Sequence, residues 1–221
     1  MSKHGKIETA EPLADRKIEI LDAASRAFMR QGFAATSLDR VSDEIGSTKG
    51  AIYYYYRSKS ELFFAVHRRG MELTQAAIRP SFEAQSSPSD RLHGMAVAHT
   101  ILVIDHLPYL RVIAQGVEMH LLERTNESER AELAEVAALR EANESLYIRV
   151  IRDGIASGEF RSVDAKLAAK PLLGALNWTS RWYQPRPGET PAAKKRLAES
   201  IADFVVAGLE KKNEREPSEP S

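Results

Sequence analysis

The chain has 221 residues, with 31 Lys and Arg balanced by 31 Asp and Glu, and it contains no cysteine. A net charge of zero argues against a protein that coats nucleic acid nonspecifically, and the lack of cysteine excludes disulfides, thiolate metal sites and cysteine catalysis. Since no apolar run approaches the ~20 residues of a membrane span and the N-terminus lacks the apolar stretch of a signal peptide, we expect a cytoplasmic protein.

The first part of the chain predicts a leader followed by one helix. Residues 1–13 are interpreted as a disordered leader. A helix is expected over about residues 14–31, because Ile18, Leu21, Ser25 and Phe28 recur at steps of three and four and form one buried stripe. Gly32 is expected to end it.

The stretch over residues 36–62, TSLDRVSDEIGSTKGAIYYYYRSKSEL, predicts two short helices around a tight turn. Ser37 or Thr36 can cap the first helix, because a hydroxyl oxygen accepts the orphan N–H groups of a first turn. Gly46 ends that helix, since glycine enters the left-handed conformation without a steric penalty. Two short helices across a glycine-containing turn are the helix-turn-helix signature.

The second short helix, residues 49–55, has a composition suited to DNA. Ser47 or Thr48 caps it, a glycine near its start lets the backbone approach a duplex, and four consecutive tyrosines follow. Consecutive positions cannot share one helix face, so we expect Tyr56 to pack inward while Tyr53 and Tyr54 face phosphates. From Ser47 to Arg69, five Lys and Arg stand against one acid. The predicted DNA contacts are Thr36, Ser47, Thr48, Lys49, Gly50, Tyr53, Tyr54 and Lys59.

The run GSTKGAIYYYYRSKSEL closely resembles the DNA-binding domain of the TetR family, whose pattern is roughly G-x-S-K-G-x-x-Y-Y-Y-F-x-S-K-x-x-L. Thr48 and Tyr56 depart from that pattern, where Ser and Phe are commoner. The resemblance implies an all-α fold, with a three-helix DNA-binding domain over residues 14–60 and a ligand-binding and dimerisation domain over residues 61–210. Residues 211–221 are interpreted as a disordered tail.

Helical patterns continue through the second domain. They are expected from Lys59 to about residue 78, before Pro80, and then over about residues 89–106, 108–122 and 127–157. Asp164 is expected to cap a helix reaching about residue 183, and Pro191 to open a last helix ending near residue 208. No strand is predicted.

The last two helices carry broad apolar faces, and in TetR-like proteins such helices form a homodimer interface. A dimer also places two recognition helices one turn of B-DNA apart, ~34–36 Å, to match a palindromic operator. Each single residue could equally belong to the intrachain core. The interface candidates are Leu172, Leu173, Leu176, Ile201, Phe204 and Val205.

The segment LLGALNWTSRWYQPRPG resembles the C-terminal signature N-W-x-x-x-W-Y-x-P-x-G of TetR-family regulators that respond to acyl-coenzyme A thioesters. The resemblance implies an acyl-CoA effector, whose phosphates would pair with arginines and whose adenine would stack on indole rings. Alternatively, both tryptophans only lock the dimer interface. The ligand candidates are Arg149, Trp178, Arg181, Trp182 and Arg186.

These features predict a transcriptional regulator, most simply a repressor released from its operator by an acyl-CoA. The alternatives are a repressor that senses a drug or other hydrophobic molecule, and a DNA-bound scaffold that recruits a protein partner. The sequence shows no catalytic constellation, nucleotide fingerprint or metal-ligand spacing, so we expect no enzyme activity, no bound cofactor and no metal site.

Overall fold

The computed structural model describes residues 10–115 and 127–211, which form nine α-helices. In chain order they are α1 Ala10–Ala35, α2 Leu38–Glu44, α3 Lys49–Tyr55, α4 Lys59–Phe82, α5 Pro88–Asp105, α6 Leu107–Ala114, α7 Glu127–Ser157, α8 Ala165–Trp182 and α9 Pro191–Ala207. Within these ranges no strand forms beyond an isolated antiparallel bridge between Phe160 and Glu210. The all-α prediction is confirmed.

The helix boundaries depart from the predictions at two places. Helix α1 begins at Ala10, inside the predicted leader, because Pro12 falls in a first turn that needs no N–H donor. Helix α4 continues through Pro80 to Phe82, since proline costs one hydrogen bond near the helix end while Phe82 packs against the core. The predicted end of α6 near residue 122, the start of the leader and most of the tail lie outside the described residues.

The chain forms two compact units. Among the described residues, the first contains 10–71, 106–115 and 127–138, and the second contains 72–105 and 139–211. Each unit is thus assembled from separate stretches of the chain. The predicted division at residues 60 and 61 stays a prediction.

The core of the first unit is built where α1, α2, α3 and α4 bury their apolar stripes. Phe28 and Phe63 meet edge to face with ring centroids 5.1 Å apart, and Val41 and Ile52 are fully buried. Helix α6 packs on α1, where the Tyr109 hydroxyl donates to Asp22 Oδ1 over 2.7 Å. This unit therefore holds the short helices α2 and α3 on a rigid base.

The core of the second unit lies among α5, α8, α9 and the later part of α7. Its largest buried side chains include Met95, Tyr147, Ile151, Phe160 and Leu176. Asp164 caps α8 as predicted, because its Oδ1 accepts the N–H groups of Lys166 and Leu167. No single helix in the described ranges is long and apolar enough to span a membrane, although Pro88–Asp105 and Leu107–Ala114 together reach that length and apolarity.

Candidate DNA-binding surface and effector site

The turn between α2 and α3 is held by local caps. Ser37 Oγ accepts the N–H of Arg40 over 3.2 Å, and Thr48 Oγ1 accepts the N–H of Ala51 over 3.3 Å. Gly46 adopts φ +60°, the left-handed conformation that glycine enters without strain. The predicted helix-turn-helix and its caps are confirmed, and α3 begins and ends where the sequence placed it.

The four tyrosines divide between the core and the solvent. Tyr56 is buried, and burial raises the pKa of its hydroxyl to about 12. Tyr53 is 50% exposed and Tyr54 is 77% exposed, while Ile52 anchors the opposite face of α3 in the core. The outward face of α3 therefore presents two phenol groups, which suit contacts with phosphate oxygens.

Gly50 leaves an open space at the start of α3. A Cβ atom added there would meet no atom of the chain within 4 Å, and the backbone does not adopt a positive φ. Neither packing nor conformation within the chain requires glycine at this position. Glycine would be required here only if another molecule approached the backbone closely.

Two of the predicted DNA contacts are engaged inside the protein. Thr36 is buried, and its hydroxyl donates to the carbonyl of Gly32 over 2.7 Å, so it fixes the turn after α1 and does not face a duplex. The Lys59 ammonium group donates to the carbonyls of Phe33 and Ala34 over 2.8 and 3.1 Å and lies 4.3 Å from the Phe33 ring centroid. The prediction that Thr36 and Lys59 face DNA is therefore corrected, because backbone carbonyls of the protein already bind both side chains.

The remaining predicted contacts lie near the exposed end of α3. Ser47 is half-buried and accepts a hydrogen bond from Arg16 Nη2 over 2.6 Å, and Arg16 also pairs with Glu19. Arg16 was missed by sequence reasoning, because nothing in the sequence links positions 31 residues apart. Thr48 and Gly50 are exposed, and Lys49 occupies the first position of α3.

The local positive charge around α3 is smaller than the sequence indicates. Arg68 pairs with Glu132 and Glu135 of α7 at 2.5 and 2.6 Å. Burial by itself would lower the pKa of Arg68, but the two carboxylates outweigh burial and raise it. The carboxylates lie more than sixty positions away and could not be assigned to Arg68 in advance. Arg68 therefore joins α4 to α7 instead of adding to a phosphate-binding face.

The five predicted ligand residues are all exposed. Arg181 and Arg186 are exposed, and the Arg149 guanidinium carbon lies 4.9 Å from the Phe82 ring centroid. Trp178 is 64% exposed and Trp182 is 45% exposed. An apolar groove of about 480 Å³ lies between α8 and α9, but none of these five side chains lines it.

The predicted dimer residues fall into three groups by burial. Leu172, Leu176 and Val205 are buried in the core of their own unit, which corrects their assignment to an exposed interface, and Leu173 and Ile201 are half-buried. Phe204 is 79% exposed. A second apolar stripe runs along the outer side of α8 through Leu167, Pro171, Gly174, Trp178 and Trp182, all exposed. The spacing i, i+4, i+7 marks this outer stripe in the sequence. The dimer interface was nevertheless predicted on the inner stripe of the same helix.

The family described as bacterial regulatory proteins, tetR family, matches residues 20–66, and that described as Tetracyclin repressor-like, C-terminal domain, matches residues 85–209. The transcriptional repressor KstR2 of Mycolicibacterium smegmatis is 23% identical over 204 residues, which are 91% of this chain and 94% of that protein.

Two solved structures share the fold. PfmR, a TetR family transcriptional regulator from Thermus thermophilus, is 26% identical with a TM-score of 0.72, over 87% of this chain and 99% of that one. AibR in complex with isovaleryl coenzyme A and operator DNA is 24% identical with a TM-score of 0.69, over 88% of this chain and 97% of that one. With its capped helix-turn-helix and its second helical unit, this chain belongs to the TetR family of DNA-binding transcriptional regulators.

Proposed function

We propose that this chain is a homodimeric repressor that binds a palindromic operator in the cytoplasm and releases it when an acyl-CoA thioester binds the second unit. Two comparisons support the proposal. The similar KstR2 protein is named a repressor, and the similar AibR structure contains isovaleryl coenzyme A together with operator DNA.

The observation that carries the DNA-binding part is the outer face of α3. Tyr53 and Tyr54 point to solvent beside Gly50, whose missing side chain leaves the helix start open. Phosphate oxygens accept hydrogen bonds from phenol hydroxyls and from the N–H groups of a helix start. Ser47, Thr48 and Lys49 complete the proposed contact set.

A second copy of the chain is the proposed occupant of the outer stripe of α8 and of Phe204 on α9. Exposed Leu, Trp and Phe side chains on one surface favour association, because burial of apolar area is the main driving force of assembly. Gly174, in the middle of the stripe, has no atom within 4 Å of an added Cβ, so a partner helix could approach closely. On this assignment Trp178 and Trp182 belong to the dimer interface.

Arg181 and Arg186 are the proposed partners of the coenzyme phosphates. Arg181 lies in the last turn of α8 and Arg186 in the loop that follows, and both residues are exposed, so a large polar nucleotide moiety bound there could remain in contact with water. Arg149 is a weaker candidate, because it already stacks on Phe82. Release follows from population shift: an effector that prefers one dimer conformation lowers the population whose recognition helices fit the operator.

The test is binding of the purified protein to labelled DNA from upstream of its own gene, titrated with free CoA, acyl-CoAs and the matching free acids. Release by a thioester but not by its acid supports the effector. Retained release by Arg181→Gln and Arg186→Gln variants would favour a hydrophobic drug-like effector. Tight DNA binding that no small molecule affects would favour the protein-recruiting scaffold.

The DNA contacts are tested on a set of operator variants. Tyr54→Phe is expected to weaken binding to all variants alike, because a phosphate contact carries no sequence information. Tyr183→Phe is the matched control, since its hydroxyl bonds Glu189 in the second unit. Unequal losses across the operator variants would refute the phosphate role of Tyr54.

A further inference from the structure

Arg16 of α1 reaches the start of the recognition helix α3. Its Nη2 atom donates to Ser47 Oγ over 2.6 Å, and Ser47 directly precedes Thr48, the residue that caps α3. Gly50, where the backbone of α3 lies open, stands three residues after Ser47. Because three peptide steps span at most about 11 Å, the guanidinium group lies beside the same end of α3 as Gly50.

The acidic partner of Arg16 is weakly held. Arg16 Nη1 pairs with Glu19 Oε2 at 2.5 Å, three positions along the same helix, and the two side chains are 32% and 48% exposed. An ion pair this exposed contributes little net energy, because water screens it and two long side chains must be held in one geometry. A stronger anion can therefore displace Glu19 from Arg16.

Two other arginines of α1 are held more firmly. Arg26 Nε and Arg30 Nη2 pair with the two carboxylate oxygens of Glu44 at 3.1 and 2.6 Å, and the Glu44 side chain is 21% exposed. Glu44 is the last residue of α2, so these pairs join two helices of the DNA-binding unit. The pair between Arg16 and Glu19 lies within α1, and breaking it separates no helices.

The Arg16 guanidinium has more N–H groups than its two contacts use. Arginine carries five N–H donors in a planar fork, and Ser47 and Glu19 accept one each. The fork matches the geometry of a phosphate group, which it often binds through two parallel hydrogen bonds. The Ser47 hydroxyl accepts from Arg16 and can still donate its own hydrogen. Both side chains can thus bind one anion together.

We propose that Arg16 binds a phosphate of the operator backbone together with Ser47, and that Glu19 occupies the guanidinium group in the DNA-free protein. This inference rests on the proposed operator binding and adds a contact from α1 to those from α3. On binding, a phosphate oxygen replaces the Glu19 carboxylate while the bond to Ser47 is kept. Glu19 therefore lowers the affinity for DNA without touching the duplex. A phosphate contact carries no sequence information, so every duplex should show the same effect.

The experiment measures DNA binding of the full chain by fluorescence anisotropy over a range of salt concentrations. The probes are a labelled duplex from upstream of the protein's own gene and an unrelated duplex of equal length at low salt. Arg16→Gln should lower the slope of log K against log salt by about 0.9 on both duplexes, with an affinity about tenfold weaker at 0.1 M salt. Arg16→Lys keeps the charge and should keep the slope.

Glu19→Gln tests the competing carboxylate. It should strengthen DNA binding about threefold, because the guanidinium group no longer has to leave an ion pair. Loss of any carboxylate near DNA could strengthen binding, so the gain is also measured in the Arg16→Gln background. A gain that acts through Arg16 disappears in the double variant, whereas an equal gain in both backgrounds would contradict the role of Glu19.

Arg79→Gln is the matched control, because Arg79 forms a similar exposed pair with Glu83 at 2.8 Å in the second unit, and its slope should equal that of the wild type. An unchanged slope for Arg16→Gln would overturn the inference, since Arg16 would then only position Ser47. A loss confined to one operator position would overturn it too, because it indicates a base contact. Equal wild-type affinity for the two duplexes would count against the proposed function alone. If the wild type binds neither duplex, both are overturned.

Discussion

At the scale of single residues, two helical glycines occur for opposite reasons. A Cβ added to Gly154 of α7 would lie 2.2 Å from Phe160 Cδ2, so glycine makes room for a fully buried aromatic ring. Gly50 of α3 has no such neighbour. The first glycine makes room inside the fold, and the second has no such role within the chain.

Gly50→Ala should therefore stabilise the protein and weaken DNA binding. Alanine restricts the unfolded chain and fits the helical conformation, so the free energy of unfolding should rise by about 0.4–1 kcal/mol. The added methyl group would stand between the helix start and the duplex, and we expect at least a tenfold loss of affinity. Urea unfolding and fluorescence anisotropy with labelled operator measure the two effects.

The control is Gly154→Ala, which should lower the free energy of unfolding by about 1–3 kcal/mol, because the methyl group overlaps the Phe160 ring. If Gly50→Ala binds operator as tightly as the wild type, no duplex approaches this part of α3.

His99 should make stability depend on pH below neutrality. Its pKa is about 4 in the folded protein and 6.5 in an unfolded chain, so the unfolded state binds the proton first as the pH falls. The contribution of His99 is complete above pH 6.5, is lost between pH 6.5 and 4, and amounts to roughly 3 kcal/mol. Chemical unfolding at several pH values should show this loss in the wild type but not in His99→Gln. Equal pH dependence in both proteins would show that His99 is not buried in its neutral form.

At the scale of helices, Lys59 joins the start of α4 to the end of α1. A cation at a helix N-terminus opposes the helix dipole, and electronegative groups placed beside the cation relieve the conflict. In the structure the carbonyls of Phe33 and Ala34 do so, together with the Phe33 ring. The ammonium group is satisfied by the protein itself.

Lys59→Ala should lower the free energy of unfolding by about 1.5 kcal/mol, because it removes charge-assisted hydrogen bonds. The slope of log K against log salt for DNA binding should stay unchanged, since no phosphate contact is lost. Lys49→Ala is the comparison variant, and its slope should fall by about 0.9 if that ammonium binds a phosphate. A lower slope for Lys59→Ala would restore its role as a DNA contact.

Helix ends were predictable where the signal is local. Ser37, Thr48 and Asp164 cap the helices that follow them, and each needs only atoms two or three residues away. Gly46 likewise marks a turn through its own backbone freedom. The helix-turn-helix, and with it the family resemblance, could therefore be predicted from local signals without any tertiary contact.

The binding partner of a side chain was not predictable where that partner is distant in the sequence. Lys59 meets carbonyls about 25 positions earlier, and Arg68 meets carboxylates more than 60 positions later. Helix α8 is apolar on both sides, so its sequence cannot say which stripe faces the core. The structure buries Leu172 and Leu176, two of the interface candidates, in the intrachain core and leaves Leu167 and Trp178 exposed.

At the scale of the whole molecule, a chain of zero net charge depends on a few local contacts to hold DNA. Arg68 and Lys59 of α4 are already bound to carboxylates and backbone carbonyls of the protein, so the region around one recognition helix offers few cations to DNA. Two linked helix-turn-helix units on a palindrome bind far more tightly than one, because the second binding event becomes intramolecular. Operator affinity should therefore depend on the outer stripe of α8 and on Phe204.

Phe204→Glu should prevent the proposed dimer from forming without unfolding the chain. The side chain is 79% exposed in the single chain, so a carboxylate there costs little in folding, whereas burying it in an apolar interface is costly. We expect a monomer by analytical ultracentrifugation, unchanged helix content by circular dichroism and an operator affinity at least about 100-fold weaker. Lys195→Glu is the matched control: it makes the same new carboxylate nine residues away, on the opposite side of α9, at a site with 66% side-chain exposure. It should stay dimeric and bind DNA nearly as the wild type does. A Phe204→Glu protein that remains a tight dimer would show that this surface is not the interface, and would leave the outer stripe of α8 without its proposed partner.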